Sequence, residues 1–315
     1  MTRTTVVRNG MAALCLLFVA QTSWSAMPTN PVSDREFTIL PNGKDLRTIS
    51  VSGERLSLSR GTGQTFGSSA KAAYQKLKAD SKADPNHKVH WVLMDLDGGR
   101  VLDQSANADK RLFGASSSKI FVGAGLLDKQ AGALSSSQLQ LMSDMLVVSS
   151  NTAWTNLQSQ VGDGNSDKGR ERVYGFTQRM GYEQTRGFQG YWGSMHGNEL
   201  TAMETAEFLH DTYMGNYPGA ETLWKLMHAC RTGASRGRKY MPSSLYVGGK
   251  TGTYDGSTEN PETGKNYNVA IRNHVLIFNV LGRQYGLVVL ANTGSDESAA
   301  LLAGGLLREY TGFAD

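Results

Sequence analysis

Three short stretches of this chain carry side chains able to do covalent chemistry at a carbonyl carbon. Ser116-Ser-Ser-Lys119 sets a hydroxyl and an amine three positions apart, which on a helix is about one turn and one face. A serine hydroxyl is a weak nucleophile at neutral pH. An amine whose pKa is lowered by burial and by positive neighbours can take its proton. Gly114-Ala115 lets the chain turn sharply and present Ser116 at a helix N-terminus, where its backbone N–H can help to bind an oxyanion. Ser149-Ser-Asn151 lies between two helical patterns. The Ser149 hydroxyl could pass a proton to a leaving nitrogen, and the Asn151 amide could hold a substrate carbonyl. Lys250-Thr-Gly-Thr253 closes a strand pattern. Its ammonium attracts a carboxylate and lowers the pKa of groups nearby. Gly252 is expected to let a substrate backbone lie along the strand edge, and the Thr253 N–H to complete an oxyanion hole.

Two of these motifs occur twice, and context selects between the copies. Ser68-Ser-Ala-Lys71 is a second S-x-x-K, but it opens a lysine-rich amphipathic helix that belongs at the surface. Ser116 opens the apolar run K-I-F-V-G-A-G-L-L, able to bury Lys119. Ser105-Ala-Asn107 is a second S-x-N, but it follows directly on a hairpin strand. The K-T-G occurs once.

The elements that must position these groups follow from periodicity. Helical spacing recurs over 70–79, 119–127, 139–148, 152–160, 201–213, 220–231 and 298–308. Strands are expected over 89–96, 100–104, 246–249, 270–280 and 285–291, with Asp97-Gly-Gly99 as a hairpin turn. Residues 163–168 and 255–265 read as surface loops. Strands, then a block of helices, then strands and a helix imply an α+β fold. One antiparallel sheet draws on both chain ends, and a mainly helical lobe at about 116–240 is inserted between them. The cleft between sheet and lobe is the natural binding site.

Composition narrows the class. The chain has 315 residues, 39% of them hydrophobic, and a formal net charge of +4, too small and scattered an excess for nucleic-acid binding. His196, His210, His228 and Cys230 are not at metal-ligand spacing, and no cofactor or metal is called for. Arg3 and Arg8, the apolar run 11–20 and the small residues before position 26 have the order of a secretory signal peptide over 1–26. That run is too short to span a bilayer, so no transmembrane segment is expected after cleavage. Export then places the protein in a bacterial periplasm or outside the cell, and Cys230, the one cysteine of the mature chain, forms no internal disulfide. Residues 27–66 read as an arm or short strands ahead of a catalytic domain over 67–315.

The three motifs in this order resemble those of the serine β-lactamases and penicillin-binding proteins, with the nearer resemblance to class A β-lactamases over about residues 88–310. Asn107-Ala-Asp-Lys-Arg-Leu-Phe-Gly-Ala-Ser116 is similar to the family's approach to its nucleophile, and Ser149-Ser-Asn-Thr-Ala-Trp-Thr-Asn-Leu157 to its S-D-N-T-A-x-N-L stretch, with Ser150 in place of Asp. Thr232 to Pro242 is similar to the T-T-G…I-R…L-P segment, which brings Arg238 to the K-T-G. Arg272-Asn-His-Val275 resembles the R-N-D strand. The resemblance implies Ser116 as acyl-forming nucleophile, Lys119 as its base and Ser149 as proton relay. It implies Asn151, Lys250, Thr251, Gly252, Thr253 and Arg238 as substrate-binding residues, and a β-lactam or a peptidoglycan stem peptide as substrate.

Two departures stand out. The stretch from Ser116 to Ser149 is shorter than usual, implying a more open cleft. Gly181 to Arg186 matches the lead-in to the family's deacylating glutamate, but Tyr191 falls near where that glutamate belongs, and the nearest carboxylates are Glu183 and Glu199. A β-lactamase, a D,D-peptidase, a sensor that binds without turnover and an esterase or amidase on another substrate all remain compatible with this pattern.

Overall fold

The computed structural model describes residues 49–51, 54–186, 188, 198–259 and 263–313. Residues 1–26, expected to be a signal peptide, residues 27–48 of the expected arm, Tyr191, Trp192 and His196 lie outside them. The chain begins with a small hairpin, β1 (Ile49–Val51) and β2 (Glu54–Leu56), followed by α1 (Ser68–Ala83), β3 (Val89–Asp95), β4 (Arg100–Gln104) and β5 (Leu112–Phe113). The helical lobe carries α2 (Lys119–Lys129), α3 (Ser136–Val147), α4 (Asn151–Val161), α5 (Ser166–Arg179), β6 (Glu199–Leu200), α6 (Ala202–Met214) and α7 (Ala220–His228). The chain then returns to the sheet through β7 (Val247–Glu259), β8 (Asn266–Val280), β9 (Arg283–Ala291) and α8 (Glu297–Tyr310).

Five strands form one antiparallel sheet in the order β4-β3-β9-β8-β7. Two come from before the helical block and three from after it, the α+β arrangement implied by the order of patterns. Alternation along β3 explains why apolar side chains occupy both of its faces. Val89, Trp91 and Leu93 join a core layer with α1 and α8, whereas Val92 and Met94 join the core of the helical lobe. Both faces are covered, so both parities are mainly apolar, and the one polar side chain in the middle of the strand, His90, is hydrogen-bonded to Lys110 O.

Two expectations fail for identifiable reasons. Residues 255–265 were expected to be a loop, yet β7 and β8 stay in register out to Glu259↔Asn266. This polar extension is largely exposed, so it lacks the apolar alternation that marks a half-buried strand. The sequence pattern also gives no sign of α5. Its buried apolar side chains are only Val173 and Phe176, a stripe too narrow to register, although Asn165 caps its start by accepting from the N–H groups of Asp167 and Lys168.

Among the described residues no helix is long and apolar enough to cross a membrane.

Candidate active site

The three motifs converge. A cleft of about 210 Å³ is lined by Ser116, Ser149, Thr232, Gly233, Ser235, Arg236, Thr251, Thr253 and Asp296. A larger groove of about 830 Å³ lies between α1 and α8, but no residue of the three chosen motifs lines it. Its Lys78 is paired with Asp103 and Glu309, and Lys82 with Asp103. The rejected motif copies are elsewhere. Ser68 and Lys71 are exposed on α1. Ser105 and Asn107 are buried, holding the backbone of Trp91 and of His87.

Ser116 sits in a 3-10 turn, Ala115–Ser118, that runs directly into α2. Ala115 has φ +47°, a left-handed conformation that costs a non-glycine residue roughly 1–3 kcal/mol and persists where surrounding structure enforces it. The enforcement is visible. Asn198 donates through Nδ2 to Ala115 O (2.8 Å), contacts Ser118 Oγ through Oδ1, and accepts the Gly114 N–H on its backbone carbonyl (2.7 Å). On the other side Asn273 of β8 donates to the carbonyls of Phe113 (2.9 Å) and Gly114 (3.0 Å). Asn198 went unnoticed in the sequence because no motif surrounds it.

Lys119 is fully buried. All residues from Lys119 to Leu127 are buried, so α2 runs through the core and draws its first residue in with it. The amine lies 2.6 Å from Ser149 O, 2.8 Å from Asn151 Oδ1 and 3.2 Å from Ser149 Oγ. Burial, then the charge of Lys250, pushes its pKa down to about 6. A neutral amine has two N–H donors and one lone pair. With the N–H groups on Ser149 O and Asn151 Oδ1, the lone pair is left to accept a hydroxyl proton.

Ser149 has φ +63°, the second strained residue of the cleft. Its Oγ also accepts from Lys250 Nζ at 2.8 Å, so it stands between the two amines. Ser150, which replaces the family's aspartate, is the N-cap of α4 and accepts from Ala153 N–H. Lys250 is fully buried and also donates to Thr251 O (2.8 Å); burial and, less strongly, Arg236 bring its pKa down to about 8.

The K-T-G lies inside β7, not at a strand end, and β7 is the edge strand beside the nucleophile turn. Gly252 serves that approach. A Cβ there would stand 2.6 Å from Gly114 O and 2.7 Å from Ser117 Oγ, so the missing side chain makes room for the turn. We predict that Gly252→Ala costs about 1–3 kcal/mol of stability and slows acylation by shifting Ser116. Thermal unfolding and acylation rate, measured together, check it.

Arg238 was expected at the K-T-G but points away, donating to Arg60 O (3.3 Å) and Arg231 O (2.9 Å). Arg236 takes the place, with Nη1 on Gly252 O (3.0 Å) and Asn273 O (3.2 Å), Nη2 on Thr253 Oγ1 (2.6 Å) and Nε on Asp296 Oδ1 (2.5 Å). The two arginines are two positions apart in R-G-R, and only the backbone path over Gly237 decides which one faces β7. Thr232 joins the wall by a 2.6 Å hydrogen bond to Thr251 Oγ1.

Neither downstream glutamate lines the cleft. Glu183 is exposed. Glu199 is buried on β6 and paired with Arg186 (2.7 Å) and Arg111 (3.2 Å). Among the described residues Asp296 is the only carboxylate in the lining.

The sequence model of the β-lactamase enzyme family matches residues 122–306, more than half of the chain. Solved structures with the same fold include a β-lactamase from Xanthomonas campestris pv. campestris (17% identity, TM-score 0.58, covering 76% of this chain and 98% of that one). A β-lactamase from Streptosporangium roseum is equally similar (17%, 0.58, 77% and 98%), and one from Chitinophaga pinensis nearly so (15%, 0.55, 75% and 96%). No curated protein matches the chain. An α+β fold shared with these enzymes and a family match spanning the helical lobe and the returning strands place the chain in the β-lactamase enzyme family.

Proposed function

We propose that the protein is an exported serine hydrolase that opens β-lactams through an acyl-enzyme at Ser116. The observation that carries this reading is the buried amine of Lys119 held by Ser149 and Asn151, with Ser149 and Ser116 lining one cleft. Ser116 Oγ attacks the lactam carbonyl carbon as its proton passes to Lys119 Nζ. The backbone N–H groups of Ser116 and Thr253 receive the oxyanion. The ring C–N bond then breaks, and the nitrogen takes a proton through Ser149, which Lys119 reprotonates. Lys250, Thr251, Thr253 and Arg236 hold the substrate carboxylate, and Asn151 the acyl carbonyl. Water then hydrolyses the ester.

Hydrolysis is the slow half of this scheme. Glu199 is locked by two arginines, Glu183 is exposed, and the stretch 187–197 contains no carboxylate. The loss of one positioned base costs roughly 10²–10⁴-fold. That observation favours a second reading, a penicillin-binding D,D-peptidase or sensor that acylates readily and releases slowly. A fluorescent penicillin and a chromogenic cephalosporin decide between them. Rapid colour without lasting label supports the β-lactamase; lasting label without turnover supports the second reading, and cleavage of a D-Ala-D-Ala peptide then separates peptidase from sensor. Absence of both signals refutes the acyl-enzyme.

Acylation has a bell-shaped pH profile on this reading. The rate rises as Lys119 loses its proton near pH 6 and falls as Lys250 loses its own near pH 8. A flat profile from pH 5 to 9 contradicts the assignment of either amine.

A further inference from the structure

We propose that Asp296 makes the carboxylate end of this cleft selective for zwitterionic substrates, in which a cation lies beside the carboxylate that Lys250, Thr251, Thr253 and Arg236 receive. The inference rests on the acyl-enzyme reading and adds the class of substrate.

A guanidinium has five N–H groups. Four of those on Arg236 are taken, by Asp296 Oδ1, the carbonyls of Gly252 and Asn273, and Thr253 Oγ1. One is left for a substrate. Asp296 cancels the charge of Arg236, and Arg272, whose Nε is 3.8 Å from Asp296, is itself held by Asp255 through two hydrogen bonds. Lys239 is paired with Glu297 just beyond. Among the described residues Lys250, deep inside, is the cation at this cleft with no carboxylate partner, while the carboxylate of Asp296, paired with Arg236, stands at the rim.

Asp296 is ionised under working conditions. Its burial raises its pKa, but hydrogen bonds from Ser235 and Arg236 and the nearby arginine charges more than offset this and hold it below the usual carboxylate value. Its side chain keeps a third of its surface exposed at the edge of the cleft. It serves no helix cap by side-chain hydrogen bond. A simple carboxylate entering here gains Lys250 and the threonine hydroxyls but meets a like charge at the rim. A substrate with a fixed cation next to that carboxylate meets an opposite charge instead.

The test uses two cephalosporins that share a thienylacetyl side chain. One carries a neutral acetoxymethyl group at position 3 and the other a pyridiniomethyl group. The second-order acylation rate constant of the purified protein is read by mass spectrometry. Because the two drugs differ in intrinsic reactivity, the measured quantity is their rate ratio in the native protein divided by that in Asp296→Asn. This double ratio is expected to be roughly 10 in favour of the zwitterion at low salt, and smaller at high salt. Asp296→Glu, which keeps the charge, is expected to retain most of the preference. A double ratio near 1, or the same loss in Asp296→Glu as in Asp296→Asn, overturns the proposal. If neither drug acylates the native protein, it is the acyl-enzyme reading that has failed.

Discussion

Ser116→Ala neither carries a covalent adduct after incubation with a penicillin nor turns over a chromogenic cephalosporin, whereas the native chain does one or the other. Loss of the nucleophile from a unit that acts together is expected to lower activity by roughly 10⁴–10⁶-fold. The fold should survive, because Ser116 is only half-buried and its turn is held from outside by Asn198 and Asn273, neither of which uses the Ser116 side chain in the contacts described above. Non-covalent binding should survive as well, since Lys250, Thr251, Thr253 and Arg236 are untouched, so equilibrium binding with intact affinity and no adduct is the full expected result. Ser149→Ala is the control. It removes the hydroxyl between the two amines but leaves the nucleophile, and so slows labelling without abolishing it. An adduct that persists in Ser116→Ala, or that maps to Ser149, ends the assignment.

The legibility of this site in the sequence divides along a physical line. Groups whose partners are close in sequence were readable. Ser116 and Lys119 share one helical turn, and the apolar run after them carries the burial that lowers the Lys119 pKa. The sheet was readable because β3, β8 and β9 are buried on both faces and write long apolar runs. Groups defined by tertiary contact were not readable. Asn198 and Ser118 are 80 positions apart, and Arg236 and Asp296 are 60 apart. Nothing local marks Asn198 as the brace of the nucleophile turn, or Asp296 as a wall of the cleft. Arg236 and Arg238 differ only in the direction the chain takes around them. Gly252 was singled out for a substrate backbone, and the packing of the nucleophile turn against it was not readable, because a sequence does not show which distant segment comes close.

Lys119→Met separates the chemical role of the amine from its structural one. Methionine is close in volume and can pack on the Trp154 ring, over which the amine lies 5.0 Å from the centroid. The variant lacks the base that accepts the Ser116 proton, and acylation is expected to fall by roughly 10²–10⁴-fold. Stability supplies an independent readout. The amine titrates near 10.5 when unfolded and at about 6 when folded. Between these values the unfolded chain binds the extra proton, so this residue makes the native protein gain stability as pH rises from about 6 towards 10.5, by at most about 1.4 kcal/mol per pH unit. Methionine removes that dependence. It also leaves Ser149 O and Asn151 Oδ1 without this donor, a cost of about 1–3 kcal/mol for an acceptor left unsatisfied. The native chain should therefore lead the variant most at pH 9 and least at pH 6. Denaturation midpoints for both proteins across that range check the sign. A gap that stays constant, or that narrows as pH rises, would show that the amine is already charged in the folded protein, and then it could not be the base.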